Sequence, residues 1–235
     1  SIKFKLIMKI KFLLIISLFF TQFTYSQDGH FDSAYVVLNL NDSGSNTWYD
    51  LAGNSGNTDF DGTDLGLFDL GSDDLKLIGT QHNMSKCNSC DITGSTMYYR
   101  IYTYGSPNGG YSGVNTSWQE NGWDGCGTQR WQNLGNSVNL LNGLGTGRYT
   151  IEIYSQASTN NCNGDFYDSN SGNNYKAHFR IATYSVGNGN WNAVETWYNS
   201  SEPSNSDYVH VKHNVTINSS EVSGYLKIKL GSSLT

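Results

Sequence analysis

Four segments of this chain alternate apolar and polar residues at every second position, and this pattern constrains the fold more than any other feature. They are residues 34–40, 97–104, 149–153 and 175–181. A period of two is the repeat of a β-strand that has one buried face and one wet face. In the last segment, the odd positions from Tyr175 to Ile181 are expected to face inward, and Lys176, His178 and Arg180 are expected to face outward. The sequence therefore predicts antiparallel sheets packed on a shared core.

The segment 149–153 is preceded by a glycine-rich turn. Its pattern predicts that Tyr149, Ile151 and Ile153 are buried and that Thr150 and Glu152 face water. An apolar residue, a turn with three glycines and a tyrosine that enters a strand resemble the tyrosine corner of immunoglobulin-like sandwiches. In such a corner the ring fills core and the hydroxyl bonds the preceding backbone, so we interpret Tyr149 as structural.

The composition agrees with an all-β protein. The chain has 26 glycines and 16 tyrosines but only 2 prolines, and its charged residues are few. Helix-forming residues are scarce, whereas Thr, Tyr and Gly suit strands and long turns. We predict an immunoglobulin-like or jelly-roll sandwich over residues 28–185, followed by the first rungs of a β-helix over 190–235.

The first 26 residues are predicted to be a secretory signal peptide. Basic residues lead into the apolar run 12–20, which is too short to span a bilayer. Met8 is the expected initiator, and cleavage is expected after Ser26. Removing this segment, with its four lysines and no acid, changes the formal net charge from −6 to −10. We therefore expect a secreted or outer-surface protein without an integral membrane span in the mature chain, and an acidic surface that disfavours nucleic acid as a partner.

The C-terminal part has short apolar strands at regular intervals. Trp191, Trp197 and Pro203 come first, and pairs of alternating apolar residues follow up to Leu230. Regular spacing of this kind is typical of successive coils of a solenoid. We expect the tryptophans and the proline to cap its first coil, and the chain to end as a fragment of a longer protein. His210 and His213 are expected to face solvent on adjacent strands.

Two groups of motifs resemble known secreted proteins. The pattern W-N-x-x-x-T-W followed by S-D-Y-V-x-V and N-V-T-I-N resembles the entry segment of bacterial surface proteins that continue into right-handed parallel β-helices. The motifs AYVVLNLN, MYYRIYTYGSP and LGTGRYTIEIYS are similar to an uncharacterised N-terminal domain of secreted Bacteroidetes proteins, often exported by the type IX route. This second resemblance covers residues 28–183 and implies no catalytic residues.

Four cysteines follow the predicted signal peptide, and an even number in a secreted chain indicates disulfides. We expect Cys87 to pair with Cys90. We also expect Cys126 to pair with Cys162, because that bridge would join two long loops with little core of their own. The CxxC spacing leaves structural zinc and redox chemistry as alternatives, although no βαβ pattern supports the redox reading.

One turn carries a candidate metal site. Asp59, Asp61 and Asp64 surround Gly62, and alternating Asp oxygens at a turn are suitable ligands for Ca²⁺. The segment lacks the glutamate and spacing of an EF-hand loop. The alternative is a solvated turn that anchors Phe60 in the core, and Ca²⁺ is the only cofactor that the sequence suggests.

The segment 117–131 is the candidate ligand site. It gathers Trp118, Trp123, Asp124 and Trp131, so aromatic faces could stack on sugar rings while amides and acids bond hydroxyls. In the alternative, Trp118 and Trp131 are core residues and only Trp123 is exposed. Glu120 and Asp124 lie on one loop that does not fix the separation a glycosidase needs, and the chain has no catalytic motif.

These observations predict a non-catalytic module for adhesion or carbohydrate binding, with an extracellular glycan or a cell-surface component as partner. The alternative is the accessory N-terminal part of an extracellular polysaccharide-degrading enzyme whose catalytic domain lies elsewhere. A structural stalk without a ligand is the third hypothesis. Adhesins are expected to continue in repeats, whereas an enzyme is expected to show clustered carboxylates or basic residues on the solenoid.

Overall fold

A computed structural model describes residues 28–53, 55–87, 90–121, 127–162, 164–218 and 223–235. Within these ranges the chain is almost entirely β-structure, and its three 3₁₀ helices have three residues each, Asn170–Gly172, Val194–Thr196 and Tyr198–Ser200. The strands are β1 (Gly29–Leu40), β2 (Thr47–Asp50), β3 (Thr58–Asp59), β4 (Asp64–Asp69), β5 (Leu75–Lys86), β6 (Asp91–Thr103), β7 (Ser112–Asn115), β8 (Ser117–Asn121), β9 (Thr128–Asn133), β10 (Val138–Asn139), β11 (Gly147–Asn160), β12 (Phe166–Asp168), β13 (Tyr175–Tyr184), β14 (Gly189–Asn190), β15 (Tyr208–Val211), β16 (Val215–Thr216) and β17 (Tyr225–Ile228).

The strands form two large sheets. The first sheet has the order β3-β2-β1-β5-β9-β8, with β10 also beside β5. The second has the order β17-β15-β13-β11-β6-β7, with β12 beside β11 and β4 beside β13. The four segments with period-two alternation lie in β1, β6, β11 and β13, so the all-β prediction is confirmed. The long pairings β1–β5, β6–β11 and β11–β13 are antiparallel, as expected.

One core contains side chains of both sheets. Val36 and Leu38 from the first sheet belong to the same buried cluster as Ile151 and Phe179 from the second. Burial of such apolar surface is the main term that favours folding. The two sheets therefore present their inner faces to each other, and their outer faces remain for other contacts.

The tyrosine corner is confirmed. The hydroxyl of Tyr149 donates a hydrogen bond to the carbonyl oxygen of Gly145 at 3.0 Å, and the ring stacks on Phe179 with centroids 5.4 Å apart. The hydroxyl thereby fixes the turn that leads into β11, and the ring packs against the core.

The C-terminal residues extend the second sheet with parallel strands. β15 pairs in parallel with β13, and β17 pairs in parallel with β15. Beside them β14 and β16 also pair in parallel, and a parallel bridge joins Val215 to Leu234. The strands β13, β15 and β17 thus run side by side in the same direction, and so do β14 and β16. Trp191 and Trp197 are buried with their rings 4.9 Å apart, and they form a separate core with Val209 and Val211.

The predicted disulfide pairing is wrong. Cys90 is bonded to Cys162, 72 residues away, so neither the Cys87–Cys90 pair nor the Cys126–Cys162 pair forms. Cys87 is also disulfide-bonded, and Cys126 lies outside the described residues. The physical reason is the pairing of β6 with β11: Asp91 and Asn160 are register partners, so the ends of these strands bring Cys90 next to Cys162. A disulfide fits an oxidising extracellular environment.

In the described ranges, no helix has the length and apolar composition needed to cross a membrane.

Candidate functional site

Tyrosine side chains cover the outer side of the second sheet. Because alternate residues of a strand point to opposite sides, the core positions Ile151 and Ile153 of β11 place Glu152 and Tyr154 on this outer side. We call this surface the tyrosine face. It comprises Tyr98, Tyr102, Tyr104, Tyr111, Tyr154, Tyr167 and Tyr225, with the cationic side chains Arg100, Arg148, Lys176 and Arg180.

Neighbouring strands stack some of these rings. Tyr98 and Tyr154 are direct partners in the β6–β11 register, and their rings stack with centroids 4.9 Å apart and an interplanar angle of 16°. Tyr111 then meets Tyr154 edge to face at 5.0 Å. Aromatic pairs of these geometries contribute about 0.5–1.5 kcal/mol beyond their buried area. The three rings therefore hold one another in place.

Arginine side chains lie over other rings of the same face. The guanidinium carbon of Arg148 is 3.6 Å from the ring centroid of Tyr104, and that of Arg180 is 5.2 Å from the ring of Tyr225. Arg100 lies 4.6 Å from the ring of Tyr111. These cation–π contacts orient planar guanidinium groups across the sheet surface.

Glu152 lies at the centre of a hydrogen-bond network on this face. Its carboxylate accepts hydrogen bonds from Tyr102 at 2.8 Å, Tyr111 at 2.6 Å, Asn174 at 2.7 Å and Arg100 at 3.0 Å. Burial alone would raise the pKa of Glu152, but these donors outweigh burial and lower the pKa to about 2. Burial, together with the nearby carboxylate, raises the pKa of Tyr102 and of Tyr111 to about 12. The carboxylate of Glu152 is therefore ionised at neutral pH and is held by four donors.

The prediction that Thr150 and Glu152 face water is wrong. Both point to the outer side, but they are only 2% and 4% exposed. Arg100, Tyr102 and Tyr111 cover Glu152, because long side chains on adjacent strands reach across the sheet surface.

Several rings on the tyrosine face remain accessible. Tyr167 is 56% exposed, Tyr104 is 47% exposed and Tyr225 is 38% exposed. Exposed aromatic side chains next to polar groups are typical of recognition surfaces, because one side chain offers both an apolar ring and a hydroxyl. This face can therefore bind a ligand that combines apolar surface with hydroxyl groups.

The predicted tryptophan site is split by the structure. Trp118 on β8 is 51% exposed, but its register partner Trp131 on β9 is 9% exposed and packs in a core with Met84 and Phe166. Its indole nitrogen donates a hydrogen bond to Gln129 at 3.0 Å. Trp131 is therefore a core residue, and Trp118 is accessible. Trp123 and Asp124 lie outside the described residues.

The carboxylates of the predicted calcium turn point to protein donors. Asp59 accepts a hydrogen bond from the backbone of Asp61 at 3.0 Å, and Asp61 in turn accepts from the backbone of Lys176 at 2.8 Å. Asp64 forms an ion pair with Arg180. Across the described part of the chain, no three His, Cys, Asp or Glu side chains converge as a group that could hold a metal ion.

Sequence analysis missed most of the tyrosine face. The alternation placed Lys176, His178 and Arg180 on the outer side, which the burial pattern of β13 confirms. It did not associate Tyr98, Tyr102 and Tyr104 with them, although all have even numbers in the segment 97–104 and share the outer side of β6. These shared even numbers were the sequence signal that could have identified the tyrosine face.

No protein-family model and no curated protein sequence matches this chain.

Proposed function

We propose that this chain is a non-catalytic module, secreted or displayed on the cell surface, that binds carbohydrate through the tyrosine face. The observation that carries the proposal is the set of accessible tyrosine rings on one rigid sheet. Sugar rings have apolar faces of C–H groups and a rim of hydroxyls. The rings of Tyr104 and Tyr167 can pack on the C–H faces of a sugar, and the surrounding hydroxyl and amide groups can form hydrogen bonds with its hydroxyls.

The rigidity of the sheet supports this proposal. The stacked rings of Tyr98 and Tyr154 and the network around Glu152 hold the centre of the face in one arrangement. A preorganised surface loses less conformational entropy on binding than a flexible loop does. The face therefore suits a polymer chain that lies along a surface.

We also propose that residues 28–185 are an immunoglobulin-like or jelly-roll sandwich and that residues 190–235 are the first coils of a parallel β-helix. The shared core of the two sheets supports the first assignment. The parallel ladders β13–β15–β17 and β14–β16 support the second. The predicted signal peptide and the disulfide support export, and the resemblance to secreted Bacteroidetes proteins gives a surface context.

A binding assay with two ring deletions tests the carbohydrate proposal. The parent protein is screened by affinity gel electrophoresis against soluble polysaccharides, both neutral and acidic. Tyr104→Ala and Tyr167→Ala are each expected to weaken the binding that the parent shows by about tenfold, because aromatic anchors dominate such interfaces. Melting temperatures confirm that both variants are folded.

Trp118→Ala is the matched control, because it removes an equally exposed aromatic ring from the other sheet. This control is expected to bind like the parent. Loss of binding in Trp118→Ala and Trp123→Ala, with no loss in the tyrosine variants, would place the site in the segment 117–131. A parent protein that binds no polysaccharide would reject the proposed function.

A further inference from the structure

The tyrosine face concentrates positive charge on an acidic protein. The chain has four arginines, at positions 100, 130, 148 and 180, and a formal net charge of −6. Three of the four arginines lie on this one face, and Lys176 lies beside them. Glu152 and Asp64 neutralise two of these four cations, so Arg148 and Lys176 are the groups that can attract an anionic ligand to this side.

Two of these cations form no ion pair with an acidic side chain in the part of the chain that the structure describes. Arg100 pairs with Glu152, and Arg180 pairs with Asp64. Arg148 forms no ion pair with any described residue, and its guanidinium lies over the ring of Tyr104. Lys176 donates its ammonium hydrogen bond to the backbone carbonyl of Asn173, again without an ion pair in the described ranges. The carboxylate of Glu152 does not pair with Arg148 or Lys176, because Arg100, Tyr102, Tyr111 and Asn174 already donate hydrogen bonds to its two oxygens.

The register places two of the arginines directly opposite each other. Arg148 of β11 and Arg180 of β13 are partners in the antiparallel ladder. Like charges at directly opposite positions destabilise a sheet unless something neutralises them. Asp64 neutralises Arg180, and the guanidinium carbon of Arg148 lies 3.6 Å from the ring centroid of Tyr104. The planar donors of Arg148 remain available for a carboxylate or a sulfate, which guanidinium groups bind through paired hydrogen bonds.

We propose that the tyrosine face binds an acidic polysaccharide, with Arg148 as the residue that contacts its carboxylate or sulfate groups. This inference rests on the proposed carbohydrate-binding function and specifies its ligand class. The tyrosine rings pack on the sugars, and Arg148 and Lys176 supply the countercharge. A single-stranded nucleic acid also combines stacking rings with anions, but the Cys90–Cys162 disulfide fits an extracellular site, which favours a polysaccharide.

The experiment compares one charge removal on each sheet. Arg148→Gln and Arg130→Gln each remove one arginine, but Arg130 lies on the first sheet and pairs with Glu120. Binding is measured to alginate as a carboxylated polymer, to dextran sulfate as a sulfated polymer and to laminarin as a neutral one. Arg148→Gln is expected to weaken binding to the acidic polymers by about tenfold, because hydrogen bonds to a charged group are lost. Arg130→Gln is expected to bind like the parent.

Each remaining outcome overturns a defined part of the inference. Equal losses in the two arginine variants would show a non-specific effect of net charge. Parent binding to laminarin as strong as to the acidic polymers would reject the acidic ligand but retain the carbohydrate function, whereas no binding to any polymer would reject both. Stronger binding to single-stranded DNA, lost in Arg148→Gln, would favour nucleic acid. Lys176→Gln repeats the test if Arg148→Gln lowers the melting temperature.

Discussion

His82 illustrates how a polar side chain is accommodated between the sheets. It is fully buried, and its ring nitrogens contact the hydroxyls of Thr80, Ser95 and Ser155. The Thr80 hydroxyl donates to the carbonyl oxygen of Tyr35 at 2.7 Å, so it accepts from the Nε2–H of His82. That tautomer leaves Nδ1 to accept from Ser95. Burial disfavours the charged imidazolium and lowers the pKa of His82 to about 3, so the ring is neutral in the folded protein.

This buried histidine predicts acid sensitivity. In the unfolded chain the imidazole has a pKa of about 6.5, whereas in the folded protein the pKa is about 3. Its contribution is therefore complete above pH 6.5 and is lost as the pH falls towards 3. The free energy of unfolding should decrease by about 1.4 kcal/mol per pH unit from this group alone. Urea denaturation between pH 7 and pH 5 measures the slope.

Two histidine variants separate this contribution from the other titrating groups. His82→Gln is expected to lose the slope and to be less stable at pH 7, since the surrounding hydroxyls lose their partner. His30→Gln removes an exposed histidine and is the control for the loss of one imidazole. An identical slope in all three proteins would contradict the assignment.

The strand β15 shows how an element is attached to the sheet by a buried carboxylate. Asp69, at the end of β4, is 4% exposed and forms ion pairs with His210 at 2.8 Å and with Lys212. The Nδ1–H of His213 donates a hydrogen bond to the carbonyl oxygen of Ser185 at 2.8 Å. The prediction that His210 and His213 face solvent is therefore wrong. Apolar alternation placed Val209 and Val211 in the core, but it contained no information about the partner on β4.

Asp69→Asn is expected to loosen the C-terminal segment without unfolding the sheets. The substitution keeps the size of the side chain but removes the charge that His210 and Lys212 share, which costs about 3 kcal/mol when a buried pair loses one partner. Hydrogen exchange of residues 208–211 should become faster, while residues 147–153 in β11 should be unchanged. Asp42→Asn breaks an exposed pair with Lys76 and is the control. Unchanged exchange in β15 would show that the carboxylate does not hold this strand.

At the scale of the whole molecule, one disulfide connects two neighbouring strands of the second sheet that are distant along the chain. Cys90 precedes β6 and Cys162 follows β11, so the bridge closes a loop of 72 residues. In the chain-entropy account, closing a loop of this length stabilises the folded state by about 4 kcal/mol. The bridge also connects strands that carry the tyrosine face, so it supports the candidate site.

Peptide mapping without reductant is expected to recover Cys90 linked to Cys162. The double variant Cys90→Ala with Cys162→Ala should have a markedly lower melting temperature, because the unfolded chain regains the entropy of that loop. Recovery of a peptide in which Cys87 is linked to Cys90 would contradict the pairing. The variant should retain its β-sheet circular dichroism at low temperature, since the shared core does not depend on the bridge.

Sequence alone determined what depends on local geometry. Alternation identified β1, β6, β11 and β13, and within segments 149–153 and 175–181 it identified the side on which each residue points, because successive side chains of a strand must alternate. The glycine-rich turn before Tyr149 identified the tyrosine corner for the same local reason. These predictions needed no knowledge of which strands are neighbours.

Only the tertiary structure decided what depends on neighbours that are distant along the chain. Trp118 and Trp131 face each other across two strands, yet one is exposed and the other buried, because β8 is the edge of its sheet and β9 is not. The cysteine pairing followed from the β6–β11 register, and the tyrosine face followed from the adjacency of β6, β11 and β13. Strand order and register arise from burial summed over the whole core, and a period of two within one strand does not specify them.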